Sequence, residues 1–288
     1  STSELSVSRL TLQGGDAGAG DGGAIRTAAA TDLQLDNVDF LNNSAANGGA
    51  VFVVNGQLDI EASTMQGNQA TANGGAIAVT SAPVTILDST MVGNTAGGSG
   101  GAISLADGQL EIRVSTLQGN QATSDGGAIA TGTGQVTLVN VAVTGNTSGA
   151  NGGGIAATSA ASSVSTLNST ISGNTAASSG GGIYGGDADV ELEISTVTLN
   201  DANVGGGIGL LADSHGEELT LVNSIVAANT ASSAPDFVAP GTPGTNLDVS
   251  YSLIGNNSGT SLSESSLVAG DPVADGNGNL IGGGGSPV

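Results

Sequence analysis

The sequence predicts an all-β fold, a right-handed parallel β-helix (solenoid) of about ten coils of ~26 residues with three short strands per coil. Three observations carry this reading. The motif Gly-Gly-Ala-Ile, or a one-letter variant, places an aliphatic residue at Ile25, Val51, Ile77, Ile103, Ile129 and Ile155, 26 residues apart each time, with later copies at Ile183 and Ile208 after 28 and 25 residues. In a second column Asn43, Asn68, Asn94, Asn120, Asn146, Asn174, Asn200, Asn229 and Asn256 each follow an apolar residue by three positions. The third observation is composition. Gly reaches 50 of 288 residues without collagen's strict every-third spacing, aromatics total 2 % and Trp is absent, so Val, Ile, Leu, Ala and Thr must fill a narrow, regular interior.

One repeat illustrates the elements in chain order. Ile77-Ala78-Val79, Val84-Thr85-Ile86 and Ser89-Thr90-Met91 each alternate apolar with small or polar residues, which is the two-residue period of a strand. Gly, Asn, Asp, Ser and Ala lie between them and turn the chain sharply. No stretch carries a long apolar period of 3.6, so helices are not expected.

The inward columns follow from the period. The first strand contributes Ile25, Val51, Ile77, Ile103 and Ile129, and the second contributes pairs such as Leu58 and Ile60 or Leu110 and Ile112. The third contributes Phe40, Met65, Met91, Leu117, Val143, Ile171, Val197, Val226 and Leu253. Gly pairs such as Gly48-Gly49 and Gly74-Gly75 mark a tight corner where a side chain would meet the next coil. The Asn column, centred on Asn68, Asn94, Asn120, Asn146 and Asn174, reads as an internal ladder of side-chain amides. Ser63, Ser89, Ser115, Ser169 and Ser195 form a second small polar column of the same kind.

Two regions are expected: a parallel β-helix over 1–230, and irregular C-terminal coils or a cap over 231–288 that continue the solenoid. The first twenty residues, with Leu5, Val7, Leu10 and Leu12 alternating, read as one more coil. The last fifty, with Pro235, Pro240, Pro243 and Pro272, lose the period.

Charge and composition narrow the function classes. There is no Lys; Arg9, Arg26 and Arg113 stand against 25 Asp and Glu, for a net charge of −22. Such a surface repels polyanions, so nucleic acid is not an expected partner. The absence of Cys removes disulfides and thiolate metal sites. No apolar stretch approaches the ~20 residues of a membrane span, and no signal peptide is visible, so the chain reads as a mature secreted form or a fragment of something longer.

Asn168-Ser-Thr-Ile-Ser-Gly-Asn174 followed by Gly180-Gly-Gly-Ile183 resembles the repeat of bacterial right-handed β-helix surface proteins. The pairing of Gly-Gly-Ala-Ile with Phe40-Leu-Asn-Asn43 is similar to the two motifs of chlamydial polymorphic outer-membrane protein repeats. The tail from Gly270-Asp-Pro272 to Gly285-Ser-Pro-Val288 resembles the closing segment of large secreted β-helix proteins. The likeness covers roughly residues 20 to 230. It implies an adhesin, passenger or cell-surface scaffold outside the cell.

Chemistry is sought only where the sequence departs from its period. Polysaccharide lyases of this shape need a cation beside carboxylates, and Arg113 follows Glu111 while Arg26 faces outward next to Ile25. A hydrolase needs clustered carboxylates. Asp59, Glu111 and Glu191 share one outward column, with Gln34, Thr85, Thr137 and Ser165 between them. His215 lies in the acidic insertion Asp213-Ser-His-Gly-Glu-Glu218. Asp271 with Asp275-Gly-Asn-Gly-Asn279 resembles part of a calcium loop, which makes Asp271, Asp275, Asn277 and Asn279 the candidate Ca²⁺ ligands. Thr64, Thr90, Thr116, Thr170 and Thr196, partly doubled by Thr144, Ser172 and Thr198, form an outward threonine column.

The resulting expectation is a non-enzymatic extracellular structural or adhesin-like module. Its expected partners are a host or cell-surface ligand, or further copies of itself stacked end to end into a fibre or surface layer. A polysaccharide-binding or polysaccharide-cleaving β-helix and an ice-binding threonine face stand as alternatives.

Overall fold

The structure, a computed structural model, describes residues 3–27, 31–210, 218–238, 246–268 and 271–283. Among these residues there is no helix, and parallel strands stack as a β-solenoid of about ten turns with ~26-residue spacing. The chain opens with β1 (Ser3–Gln13), β2 (Ile25–Arg26), β3 (Thr31–Leu41) and β4 (Ser44–Ala45). β5 (Val51–Val53), β6 (Leu58–Glu61), β7 (Thr64–Gln66) and β8 (Gln69–Ala70) form the next coil, and this pattern then repeats. Each strand pairs in parallel with its equivalent one coil on, as in Val84↔Leu110 and Met91↔Leu117.

The three short strands expected per coil are present, and the structure adds a fourth of two residues. It follows the ladder Asn and buries an alanine inward at Gln69–Ala70, Thr95–Ala96 and Gln121–Ala122, while Thr147–Ser148 turns a serine in at the same place. The second and third strands belong to one bent sheet. In β1 and β3 they form a single eleven-residue strand. The bend is a left-handed residue repeated every coil: Arg9, Asn37, Ala62, Asp88, Val114, Asn140, Asn168, Ile194, Asn223 and Tyr251 all have φ between 49° and 58°.

The core is a set of aliphatic columns. Ile77, Ile103, Ile129, Ile155, Ile183 and Ile208 are buried above one another, as are Leu58, Val84, Leu110, Val136, Val164, Val190 and Leu219 in the second strip. Each such side chain contributes about 1.5–3 kcal/mol by leaving water. The glycine corners are steric necessities: a Cβ on Gly75 would run into the carbonyl oxygen of Gly101, the equivalent corner one coil on.

The stack continues beyond residue 230. Asn246–Ser250 pairs in register with Glu218–Val222, and Leu253–Ile254 pairs with Ile225–Val226 and Leu280–Ile281. An antiparallel hairpin of Ser266–Val268 and Asp271–Val273 follows the last full coil. Here the expected columns shift by one. Ile254, not Leu253, lies over Val226, because Ser252 holds the place of Ser224 and the strand runs on from it. Asn256 therefore falls out of the ladder column, and Asp236 supplies that rung. Pro240, Pro243 and His215 lie outside the described residues.

Candidate functional surface

The polar columns inside the solenoid are occupied by bonds between coils, which leaves their side chains no free atom for chemistry. Asn68 Nδ2 donates to Asn94 Oδ1 (3.0 Å), Asn94 to Asn120 (3.0 Å), Asn120 to Asn146 (2.9 Å), Asn146 to Asn174 (2.9 Å) and Asn174 to Asn200 (2.9 Å). The same Oδ1 also accepts the backbone N–H of the preceding rung, as from Asn94 N to Asn120 (3.0 Å). Each Nδ2 uses its second proton on a carbonyl of the preceding coil, such as Met91 O for Asn120. Every amide is thus saturated while buried, which is the condition for a polar group in a core.

The ladder has a direction, since every amide-to-amide bond is donated toward the C-terminal end. Asn229 passes its Nδ2 proton to Asp236 Oδ1 (2.9 Å), an acceptor that needs no further acceptor. Burial pushes the Asp236 carboxyl pKa up, opposed by hydrogen bonds from the Asn229 side chain and from the backbone N–H groups of Asn229 and Asn256. The serine column is a second ladder. Ser63 N donates to Ser89 Oγ and Ser89 N to Ser115 Oγ, while each Oγ donates to the carbonyl two residues earlier. It ends where Ser252 N donates to Asn279 Oδ1 (3.0 Å).

That contact places one expected calcium ligand in the interior. Asn279 is buried, and its Nδ2 donates to Val249 O (2.8 Å) and Asp275 Oδ2 (3.2 Å). Asp275 Oδ1 accepts from the backbone N–H of Asn277 and Asn279, both at 2.9 Å. These donors, the Asn279 N–H foremost, hold the Asp275 carboxyl below the usual carboxylate range. Asn277 gives its carbonyl to Tyr251 N (3.0 Å), and Asp271 pairs through its backbone with Val268 in the hairpin. The Asp-Gly-Asn-Gly-Asn segment is thereby accounted for as a carboxylate-centred turn. Among the described residues no group of three His, Cys, Asp or Glu side chains is arranged for a metal.

Three outer faces remain. The outward column of the second strand reads Gln34, Asp59, Thr85, Glu111, Thr137, Ser165, Glu191, Thr220 and Asp248 in register. It holds two shallow acidic depressions, one around Asp36, Asp59 and Glu61 and one around Asp189, Glu191 and Glu218. Between them Arg113 pairs with Glu111 through Nε (2.6 Å) and its terminal nitrogen. Glu111 is flanked in register by Thr85 and Thr137, and Arg113 by Leu87 and Val139. The lyase-like grouping of one cation between two carboxylates is not assembled at this pair.

The threonine face is in register through Thr64, Thr90 and Thr116, breaks at Ala142, and resumes at Thr170 and Thr196 before giving way to Ile225 and Leu253. The array is therefore two short runs rather than one flat lattice.

The first-strand face differs from both. Arg26, Phe52, Ala78, Ser104, Ala130, Ala156 and Tyr184 succeed one another in register, with the Arg26 guanidinium 5.8 Å from the Phe52 ring centroid. Ser104 and Ala130 floor a shallow groove edged by Asn73, Ser99, Asp125 and Thr158. Tyr184 is buried in the same register column, and burial, then Asp125 and Asp187, raises its hydroxyl pKa.

One edge of this groove is a ladder that the sequence reading missed. Asn47 Nδ2 donates to Asp21 Oδ1 (2.9 Å), Asn73 N to Asn47 Oδ1 (3.1 Å), Ser99 N to Asn73 Oδ1 (2.9 Å), and Asn151 N and Nδ2 to Asp125 Oδ1 (3.0 Å). Its signal was available: an Asp, Asn or Ser stands before the Gly pair at Asp21, Asn47, Asn73, Ser99, Asp125 and Asn151.

Five segments, residues 37–54, 62–80, 88–106, 114–132 and 168–186, match the family model described as the Chlamydia polymorphic membrane protein repeat, and together they span less than half of the chain. Each begins at the left-handed corner residue, at Asn37, Ala62, Asp88, Val114 and Asn168. Each then passes through the third strand, the ladder Asn and the glycine corner to the following first strand, so the matched unit is a structural unit of this solenoid. Comparison with curated proteins and with solved structures gave no match.

Proposed function

We propose that the chain is a non-enzymatic, surface-exposed β-solenoid module of the adhesin type, which works outside the cell by presenting its outer faces to a ligand on a host or cell surface. The observation that carries this reading is the division between inside and outside. The Asn and Ser columns that the repeat specifies are engaged in hydrogen bonds between coils, and the repeat resembles that of a family described as membrane proteins. Hydrolysis by paired carboxylates needs two of them across the substrate, and at the Arg113 pair Glu111 has only threonines as its in-register neighbours. The net charge of −22 selects against anionic ligands at long range. The test is an antibody against the chain applied to intact cells of the source organism, together with binding of the purified chain to candidate host cells. Labelling of intact cells and saturable binding are expected. Labelling only after permeabilisation would sink the surface assignment.

A second reading is favoured by one specific face. The groove over Ser104 and Ala130 combines a floor of small residues with a polar rim, which suits an extended neutral saccharide. A glycan array supports it by binding that is lost in Ser104→Trp, a substitution that fills the floor. Binding unaffected by that substitution rejects it.

A further inference from the structure

The outer face of the third strand changes character near residue 194. Through the earlier coils its outward column reads Thr64, Thr90, Thr116, Ala142, Thr170 and Thr196, and the turn that follows is a glycine, as at Gly145 and Gly173. Beyond Thr196 the same column continues in register as Ile225, Leu253 and Leu280. Leu199 takes the glycine's place, directly before the ladder residue Asn200. Ile194 and Tyr251 stand at the corner on the other side of the strand.

These side chains face water. Tyr251 is 70 % exposed, Leu199 65 %, Ile194 51 % and Ile225 43 %. Strands of the coils on both sides pair with the Ile225 strand, so the exposure is on the flank of the solenoid, where no further coil would stack. The fold does not ask for these residues either. Ile194, Leu199 and Tyr251 hold φ between 51° and 57°, where asparagine or glycine carries less strain. Large apolar groups that cost both strain and exposure mark a contact surface.

Charge says what fits it. The second strand meets this face across the corner, and its outward residues in the same coils include Asp189, Glu191 and Glu193, then Glu218 and Asp248. Among the described residues the one ion pair is Arg113 with Glu111, and no Lys or Arg follows Arg113 in the sequence. The acids beside the apolar face are therefore balanced by no cation of this half of the chain. A second copy brings 25 acids and three arginines, and an anionic lipid surface brings phosphates, so both are repelled.

We propose that this flank docks a cationic amphipathic helix of a partner protein. One row of its aliphatic side chains lies along Ile225, Leu253 and Leu280, and Lys or Arg beside that row faces Glu191, Glu193 and Asp248. A helix suits the array, since its pitch of about 5.4 Å is near the coil spacing of about 4.8 Å. The inference goes beyond the surface-module reading and is tested separately from it, because it concerns the chemistry the flank takes and not where the chain works.

Fluorescence anisotropy with a labelled synthetic helix of about five turns tests it, built from Leu on one face and Lys on the other, against a scrambled peptide of the same composition. The amphipathic peptide should bind at micromolar concentration in physiological salt, at least about tenfold tighter than the scrambled one. Ile225→Thr with Leu253→Thr restores the residue that earlier coils carry, so this variant should keep the circular dichroism and melting of the parent. It should weaken binding by about tenfold, as should Glu191→Gln with Glu193→Gln. Asp59→Asn, in the distant acidic depression, should leave binding unchanged. Equal binding of the scrambled peptide overturns the proposal, and so does either double variant that binds like the parent, or an equal loss in Asp59→Asn. A dimer in sedimentation, or binding to phosphatidylcholine vesicles, that is lost in Ile225→Thr with Leu253→Thr also overturns it, by giving the flank to a second copy or to a lipid surface.

Discussion

Asn229 Nδ2 donates to Asp236 Oδ1 at 2.9 Å, a contact across seven residues of sequence that ends a ladder otherwise built between coils. Every rung before it joins asparagines that both accept and donate, and the last is a carboxylate that can only accept. The ladder thus has a built stop, and the stop is a buried ionisable group.

Asp236 gives the chain a pH dependence of known sign. Burial raises its folded pKa above the unfolded value, so ionisation costs stability at any pH above the folded value. That cost is relieved as pH falls through the folded pKa toward the ordinary Asp value. Asp236→Asn keeps the accepting Oδ1 and removes the charge. It should melt higher than the parent at pH 7 and lack the parent's gain on mild acidification. Thermal melts of both proteins between neutral and mildly acidic pH check this, and a variant less stable than the parent at pH 7 would contradict it.

Ile194 sits at φ 51° with its side chain 51 % exposed, at a corner where Asn37, Asn140, Asn168 and Asn223 hold the equivalent place. A β-branched residue in the left-handed region costs roughly 1–2 kcal/mol, and asparagine tolerates that region. Ile194→Asn should stabilise the chain by about 1 kcal/mol in urea unfolding. The same change at Val114, φ 49° and 53 % exposed, should act alike. Loss of stability at both sites would refute the corner argument.

Two kinds of glycine are separable by substitution. Gly75→Ala drives a Cβ into the Gly101 carbonyl, so it should cost several kcal/mol and disrupt the stack locally. Gly119 has φ 63°, but a methyl group there would meet nothing within 4 Å, so Gly119→Ala should cost only about 1 kcal/mol. Equal effects in a denaturant titration would mean that close approach between coils is not the constraint.

Calcium should have no effect on stability, because Asp275 and Asn279 are engaged by the chain's own donors. The melting temperature is expected to be the same in chelator and in millimolar calcium. A rise with calcium that is absent in Asp275→Ala would establish the cation at this turn. The depressed pKa of Asp275 means that its contribution is present above the unfolded value and fades as pH falls through the folded one.

The period and the stacked columns were legible because a solenoid gives each repeated residue the same surroundings. Ile77 and Ile103 face the same core, and Asn94 and Asn120 make the same bonds. The left-handed corner was not legible, since Ala62, Asp88, Val114 and Ile194 share a backbone angle and no side-chain chemistry. The register beyond 250 misled for a related reason. Gly255-Asn256 copies the Gly-Asn pair of earlier coils, as at Gly67-Asn68, but arrives one residue too soon after Ser252. The outer faces carry the least signal, because positions that do not stack are free to differ from coil to coil.

The central claim is that the repeated asparagines are interior structure and not a binding site. Hydrogen exchange of side-chain amides, followed by NMR, tests it most directly. The Nδ2 protons of Asn68, Asn94, Asn120, Asn146 and Asn174 should exchange only through opening of the coils, orders of magnitude more slowly than those of exposed Asn203. Exchange of the five at the rate of Asn203 would contradict the account.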